Sequence, residues 1–402
     1  MKGLAVYGEN EMHERACVKV DDGKITAVGE EKEIQTGDGR RVFHFPEAYS
    51  CIPGMIDVHI HGAGGADTMD ATYEALDTMR TVLPREGTTS FLATTMTQQA
   101  GAVEKAVANV AEYIDQANDT GAAEIVGIHL EGPFISEKKA GAQPPASIHP
   151  PDISLFQRWQ RLADNRIKLV TLAPEKDGGL ELVKYLHSHG IVASIGHSNA
   201  TYDEVSDAIE AGATHVTHLF NGMSGLHHRE PGVVGAALLR DELYAELIVD
   251  GIHSRPETVK LAYREKGRGR IILITDAIRA KCLRDGQYDL GGQRVYVTAD
   301  RAKLANGSLA GSVLRMEEAL KKMMAFADVG LSDVIHMAAV NPAKQLGIFH
   351  KKGSIHPGKD ADLVVLDKNH EVVMTFCRGV LAFRKEERTH EDHPGEESLG
   401  NE

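Results

Sequence analysis

Cysteine is scarce in this chain: four residues (Cys17, Cys51, Cys282 and Cys377) among 402, with no C-x-x-C pair. That excludes a thiolate metal cage and fits a reduced, cytosolic protein. Long hydrophobic runs are missing too, none approaching the roughly 18 residues of a membrane span. The opening MKGLAVYGEN carries one Lys and a short apolar patch, less than a signal peptide requires. Positive charge is in deficit: 44 Lys and Arg stand against 58 Asp and Glu, a formal net charge of −14. Nucleic acid is therefore not an expected partner, although a local basic patch can still take an anionic substrate. No G-x-G-x-x-G follows the first strand-like run, and no internal repeat or low-complexity block stands out. What remains is ordinary globular material, 42% apolar and 25% charged. The length suits two to three domains of about 150 residues, or one large barrel with a small second unit. Histidine, at 20 residues, is abundant.

The apolar pattern organises the chain. Ala16–Val20 and Ile25–Val28 flank Asp21-Asp22-Gly23, a hairpin signal. Leu363–Leu366 is wholly apolar, and Val372–Phe383 is rich in β-formers. Two β-rich ends predict one small β-sandwich domain built from residues 1–52 and 353–402, with a charged, mobile tail from about residue 386. Between them, residues 53–352 alternate strand-like runs with helical spacing. The runs are Ile56–Ile60, Ser90–Thr94, Ile125–Leu130, Lys168–Leu172, Val192–Ile195, His215–Leu219, Leu247–Val249 and Ile271–Ile274. Val103, Val107, Val110 and Ile114 share a helix face, as do Val313, Met316, Leu320 and Met323. Such alternation predicts an α/β fold, a (β/α)8 TIM-like barrel with helices covering a parallel sheet. A doubly wound open sheet is the competitor, and the missing glycine-rich turn counts against it.

Barrel active sites lie at the C-terminal ends of strands. The first run ends in His59-Ile60-His61, whose imidazoles share one side of the strand. Later runs end in His129-Leu130-Glu131-Gly132-Pro133, Gly196-His197-Ser198, Thr217-His218-Leu219-Phe220-Asn221, Asp250-Gly251-Ile252-His253 and Thr275-Asp276-Ala277. Taken singly, each has an ordinary structural explanation: a capping or core histidine, or an aspartate N-cap. Together they bury many polar groups, which is costly without partners. A divalent cation accounts for them jointly, since imidazole and carboxylate suit Zn²⁺, Fe²⁺ and similar ions.

The run Pro53-Gly54-Met55-Ile56-Asp57-Val58-His59-Ile60-His61-Gly62 resembles the opening signature of the amidohydrolase superfamily. His129-Leu130-Glu131-Gly132-Pro133-Phe134 is narrower. With Gly196-His197-Ser198, His218-Leu219-Phe220-Asn221-Gly222-Met223 and Arg229-Glu230-Pro231-Gly232, it resembles the N-acetylglucosamine-6-phosphate deacetylases. The likeness runs to Gly358-Lys359-Asp360-Ala361-Asp362, nearly the whole chain. It implies Glu131, His197 and His218 as metal ligands, Glu131 standing where many superfamily members use a carboxylated lysine. Some family members lack the two early histidines and hold one metal; others keep them and hold two. This chain keeps His59 and His61, so one or two divalent ions per subunit are expected, Zn²⁺ or Fe²⁺ foremost, with Glu131 as bridge. Asp276 matches the family's catalytic aspartate. A carboxylate there can take a proton from a metal-activated water attacking the acetyl carbonyl and pass it to the departing amine.

The implied reaction is hydrolysis of a small phosphosugar, N-acetyl-D-glucosamine 6-phosphate, to D-glucosamine 6-phosphate and acetate. It would serve amino-sugar catabolism and cell-wall recycling in a cytoplasmic homodimer without membrane or nucleic-acid partners. Arg229 matches the phosphate-binding arginine, whose planar fork suits phosphate. His227 and His228 could add contacts within the subunit or across the dimer. Asn221, Gly222 and His253 match sugar, phosphate or acetyl contacts. Ala142 and Gln143 follow the Glu131 motif, and some members have histidine where Gln143 stands. Leu309, Ala310 and Gly311 match a late loop lining the sugar and acetyl pocket, ahead of a helix from Val313 to Met324. The alternative is another amidohydrolase, acting on a cyclic amide or dipeptide; the H-L-E-G-P motif, with no lysine ligand in its place, counts against it. A scaffold that has lost its ligands is a further alternative, yet no expected ligand is missing.

Overall fold

A computed structural model describes residues 1–9, 11–30, 32, 34, 41–117 and 121–386. From residue 387 on, the expected mobile tail lies outside the described residues. Eight strands form one parallel sheet: Met55–Ile60, Thr88–Thr94, Glu124–Glu131, Ile167–Leu172, Val192–Ile195, His215–Val216, Tyr244–Ile248 and Ile271–Ile274. Each pairs with the next, and the circle closes where Ile60 bridges Ala277. At that seam the Asp276 N–H donates to His59 O (2.8 Å) and the His61 N–H to Ala277 O (2.9 Å). Burial on both faces explains why the strands read as near-continuous apolar runs. The helix Ala100–Gln116 buries Val103, Val107 and Val110 against the sheet, the stripe expected from their spacing. The (β/α)8 barrel is the fold that the alternation predicts.

Two local differences follow from polar anchoring. The sixth strand pairs only over His215–Val216, because His218 (φ +31°) and Phe220 (φ +78°) turn left-handed directly after it. The last helix starts at Met316 rather than Val313. Ser312 Oγ donates to Thr275 O and accepts from the Leu314 N–H, which keeps this segment against the eighth strand before the helix begins.

Strands from both chain ends form a seven-stranded sheet in the order Val380–Arg384, Val372–Cys377, Leu363–Leu366, Ser50–Pro53, Lys2–Tyr7, Met12–Asp21, Lys24–Glu30. Alternation along Leu363–Leu366 divides its side chains between two cores. Leu363 and Val365 pack with Leu4, Val18 and Phe376, while Val364 and Leu366 join the barrel core. The Asp22-Gly23 turn has positive φ at both residues (+47° and +73°), the geometry that a tight hairpin demands. A buried ammonium fastens sheet to barrel: Lys352 Nζ lies 2.5 Å from Asp362, 2.7 Å from Glu124 at the start of the third barrel strand, and 3.2 Å from Asp360. No helix among the described residues is long and apolar enough to cross a membrane.

One element was not anticipated. Gly286–Leu290, Gln293–Thr298 and Arg301–Leu304 form an antiparallel three-stranded sheet after the eighth barrel strand. Leu290, Val295, Val297 and Ala302 pack there with Met96 and Ile278. Gln293 donates to Ala142 O (2.6 Å), fixing this sheet to the loop that follows the third strand.

Candidate metal centre and active site

The strand ends bring His59, His61, Glu131, His197, His218 and Asp276 into one buried cluster. His59 and His61, two apart on the first strand, reach the same side. Their Nε2 atoms lie 3.4 and 3.3 Å from Asp276 Oδ1. Glu131 stands in the middle. Its Oε1 lies 3.1 Å from His197 Nε2 and 3.2 Å from His218 Nε2, and its Oε2 lies 3.2 Å from His61 Nε2. Backbone geometry aims three of these side chains: His197, His218 and Asp276 all have positive φ (+48°, +31° and +47°) just past their strands. Left-handed backbone at non-glycine residues costs on the order of 1–3 kcal/mol each and persists where packing enforces it. His197 Nδ1 is tied to Lys139 O at 2.8 Å, leaving Nε2 to face Glu131.

These donors make two sets, His59/His61/Asp276 and Glu131/His197/His218, each with ligand atoms within 4.8 Å of one another. His59 Nε2 is fully buried and makes no hydrogen bond among the described residues. An orphaned imidazole nitrogen aimed at two carboxylates suits a cation. The electrostatics agree. Burial pushes the His61 imidazole down, yet the Asp276 and Glu131 carboxylates override it and raise His61 to about 10. Burial also opposes ionisation of Glu131, but His59 charge and hydrogen bonds from His197 and His218 hold its carboxyl well below the usual range. A centre that draws positive charge onto its imidazoles exchanges those protons for a divalent ion.

Above the cluster opens a cavity of about 220 Å³, with Ala142, Gln143, Asn221, Gly222, His253 and Leu309 in its walls. Gly311 also lines it; its φ is +58°, and a Cβ there would stand 2.6 Å from Ile278 Cγ2. Gly222 (φ +58°) passes so close that a Cβ would lie 3.0 Å from His197 Nδ1. Ala310 is buried with the inserted hairpin sheet rather than in the cavity wall. Arg229 does not line the cavity; it sits exposed on the loop after the sixth strand, donating to His228 Nε2 at 2.8 Å. A larger cavity of about 550 Å³ lies in the terminal sheet, away from all of these groups.

Several partners were invisible in the sequence. Gln143 lies against Glu131: its Oε1 accepts from the Thr97 N–H (2.9 Å), which turns its Nε2 to donate to Glu131 Oε2 (2.7 Å). Asp250 bonds His253 Nδ1 at 2.6 Å. Glu246, fully buried inside the seventh strand, bonds His59 and His215. Its signal was a lone acid directly before the apolar run from Leu247.

The barrel and its ring of imidazoles and carboxylates define a hydrolase centre of the amidohydrolase type, and the amidohydrolase family model matches residues 51–382. A Bacillus subtilis (strain 168) protein, N-acetylglucosamine-6-phosphate deacetylase, is 49% identical over 396 residues, 96% of this chain and 98% of its own length. An Escherichia coli O157:H7 protein, N-acetylgalactosamine-6-phosphate deacetylase, is 36% identical over 82% of this chain and 87% of its own length. Among solved structures, a Mycobacterium smegmatis N-acetyl-D-glucosamine-6-phosphate deacetylase mutant, in complex with N-acetyl-D-glucosamine-6-phosphate, superposes with a TM-score of 0.87. It is 31% identical, and the match covers 94% of this chain and 98% of that one. The chain belongs to the amidohydrolase family and, within it, to the N-acetylglucosamine-6-phosphate deacetylases. This is the family its motifs resemble.

Proposed function

We propose that this chain hydrolyses N-acetyl-D-glucosamine 6-phosphate to D-glucosamine 6-phosphate and acetate, as a cytoplasmic homodimer serving amino-sugar catabolism and cell-wall recycling. One observation carries the reading: Asp276 lies against both early histidines at the floor of a cavity sized for a small sugar. His59, His61, Glu131, His197, His218 and Asp276 would hold one or two divalent ions, Zn²⁺ or Fe²⁺ foremost. Such an ion, when bound, lowers the pKa of a water and polarises a carbonyl.

The chain's own groups do the rest. As water adds to the acetyl carbon, the Asp276 carboxylate accepts its proton. As the C–N bond breaks, Asp276 delivers that proton to the amine nitrogen. His253, Asn221 and the glycine backbone at Gly222 and Gly311 orient the sugar. Arg229 serves the phosphate.

The test is acetate release by metal-loaded protein from N-acetylglucosamine 6-phosphate, its galacto epimer and unphosphorylated N-acetylglucosamine. The gluco phosphate should be cleaved with the highest kcat/KM. Preference for the galacto epimer would reassign the substrate, and no acetate from any of the three would sink the proposal.

A further inference from the structure

Glu246 is not a member of either donor set around Glu131 and Asp276, yet it lies directly behind them. It sits in the seventh barrel strand with no exposed surface. Its Oε2 accepts from His59 Nδ1 (2.9 Å) and from the His218 backbone N–H (3.1 Å), and its Oε1 accepts from His215 Nε2 (3.1 Å). We infer that Glu246 is a positioning residue that commits His59 Nε2 to a cation held with His61 and Asp276, and so decides whether that second ion binds. The inference rests on the two-ion reading of the centre.

An ionised carboxylate offers acceptors only, so His59 Nδ1 carries a proton, and in the neutral ring that takes a cation the lone pair is on Nε2. That nitrogen makes no hydrogen bond and lies 3.4 Å from Asp276 Oδ1 and 3.6 Å from Glu131 Oε1. A carboxylate behind a ligating imidazole fixes the ring and raises its basicity toward the metal. Glu246 also adds a third buried carboxylate to Glu131 and Asp276. One divalent ion leaves that set negative, which favours a second ion at this buried site.

His59, His129 and Glu246 themselves lie close enough to suggest a further cation site. His59 has no nitrogen to give it: Nδ1 bonds Glu246 and Nε2 faces Asp276 and Glu131, so although His129 Nδ1 makes no hydrogen bond among the described residues, His129 and Glu246 are left as a pair. The trio supports the centre from behind.

The discriminating variant is Glu246→Gln, which keeps the volume and removes the charge. A glutamine oxygen can still accept from His59 and His218, while its amide faces His215. That ring can change tautomer, because its Nδ1 has no hydrogen-bond partner among the described residues. Metal-free protein is titrated with Co²⁺ and Zn²⁺ against a chromophoric chelator, with circular dichroism as the check on folding. Wild type should take up two ions. In Glu246→Gln the affinity for one should fall about tenfold or more, with the other within a factor of about three. Activity at limiting metal should drop and return in excess metal, which a loss of folded structure would not permit. Two ions bound by the variant with unchanged affinities, or an equal loss of both, overturns the inference while the two-ion reading stands. Only one ion on wild type overturns both.

Discussion

Asp250 grips His253 through a 2.6 Å bond from Nδ1 to Oδ2, and the backbone N–H groups of Ile252 and His253 donate to its Oδ1 at 2.7 and 2.8 Å. Burial pushes the His253 imidazole down, but the Asp250 carboxylate outweighs it and raises the ring above its ordinary value. With Nδ1 engaged, Nε2–H is left as a donor at the cavity wall. A raised histidine stays protonated to higher pH. Asp250→Asn keeps an acceptor for the backbone and removes the charge. The alkaline limb of kcat/KM should then move to lower pH, measured as a full pH profile. An unmoved profile would mean that the pair only shapes the loop.

Asp276 should separate chemistry from binding. Asp276→Asn retains the size of the side chain but cannot accept a proton. Its kcat should fall by about 10³-fold, within the range for loss of a general base. The Glu131/His197/His218 set is untouched, so at least one ion per subunit should remain by elemental analysis. Product affinity by calorimetry should stay within a few fold. A variant that keeps more than a tenth of wild-type kcat would remove Asp276 from the proton path.

Gln143 reads in the structure as a clamp on Glu131. The Thr97 N–H sets which end of the amide faces Glu131, so the contact is a donated hydrogen bond. Gln143→Ala would leave Glu131 Oε2 and the Thr97 N–H short of a partner, and a buried unpaired group costs about 1–3 kcal/mol. The variant should lose metal more readily to chelator, and its kcat should fall by about tenfold while KM changes little. A rise in KM alone would instead make Gln143 a sugar contact.

These residues show where reading the sequence succeeds and where it stops. His59, His61, Glu131, His197, His218 and Asp276 were legible because each breaks an apolar run at a strand end, where a barrel gathers such residues. Leu363–Leu366 was legible as a strand because it is an unbroken apolar run, buried on both faces. Gln143 was named as a substrate contact, but its bonds to Glu131 and Thr97 were not legible, because they are fixed by a loop conformation that no periodicity encodes. Glu246 was hidden because one acid beside Leu247 reads as a strand boundary rather than a buried support. The inserted sheet at 286–304 was missed although Gly291-Gly292 (φ +57° and +80°) marks its first hairpin. Its strands are short and half exposed, so they lack the apolar density of the barrel strands.

Glu124 ties pH to stability. Burial works against its ionisation, but Lys352, with Lys351 and Arg378, holds its carboxyl down at about 2, against an ordinary 4.5. A depressed carboxylate stabilises the fold fully above its unfolded pKa and loses that contribution as pH falls through the folded value. Glu124→Gln should therefore lower stability by about 2 kcal/mol at pH 7, with Lys352 still paired to Asp360 and Asp362. The gap between variant and wild type, read from urea midpoints, should narrow as pH drops from about 4.5 toward 2. A gap that stays constant across that window would mean the side chain acts by packing alone.

Arg229 poses the sharpest question about assembly. It is exposed, its guanidinium donates to His228 and its backbone N–H to His227 Nδ1, and it lines no part of the cavity of its own chain. Its loop also carries Leu226, an apolar side chain 59% exposed. Both facts make sense if the loop reaches the cavity of a second copy, where the guanidinium fork would meet phosphate. Arg229→Ala should then raise KM for the phosphosugar at least tenfold and leave the unphosphorylated sugar unaffected. Mixing subunits decides the geometry. In a symmetric dimer with a crossed arginine, a hybrid of Asp276→Asn and Arg229→Ala chains has one site with both defects and one with neither. Random reassortment makes half of the dimers hybrids, so at phosphosugar well below KM, where both parent preparations are impaired, the mixture should recover about a quarter of wild-type activity. If each arginine serves its own chain, every site in the mixture keeps one defect and no activity returns.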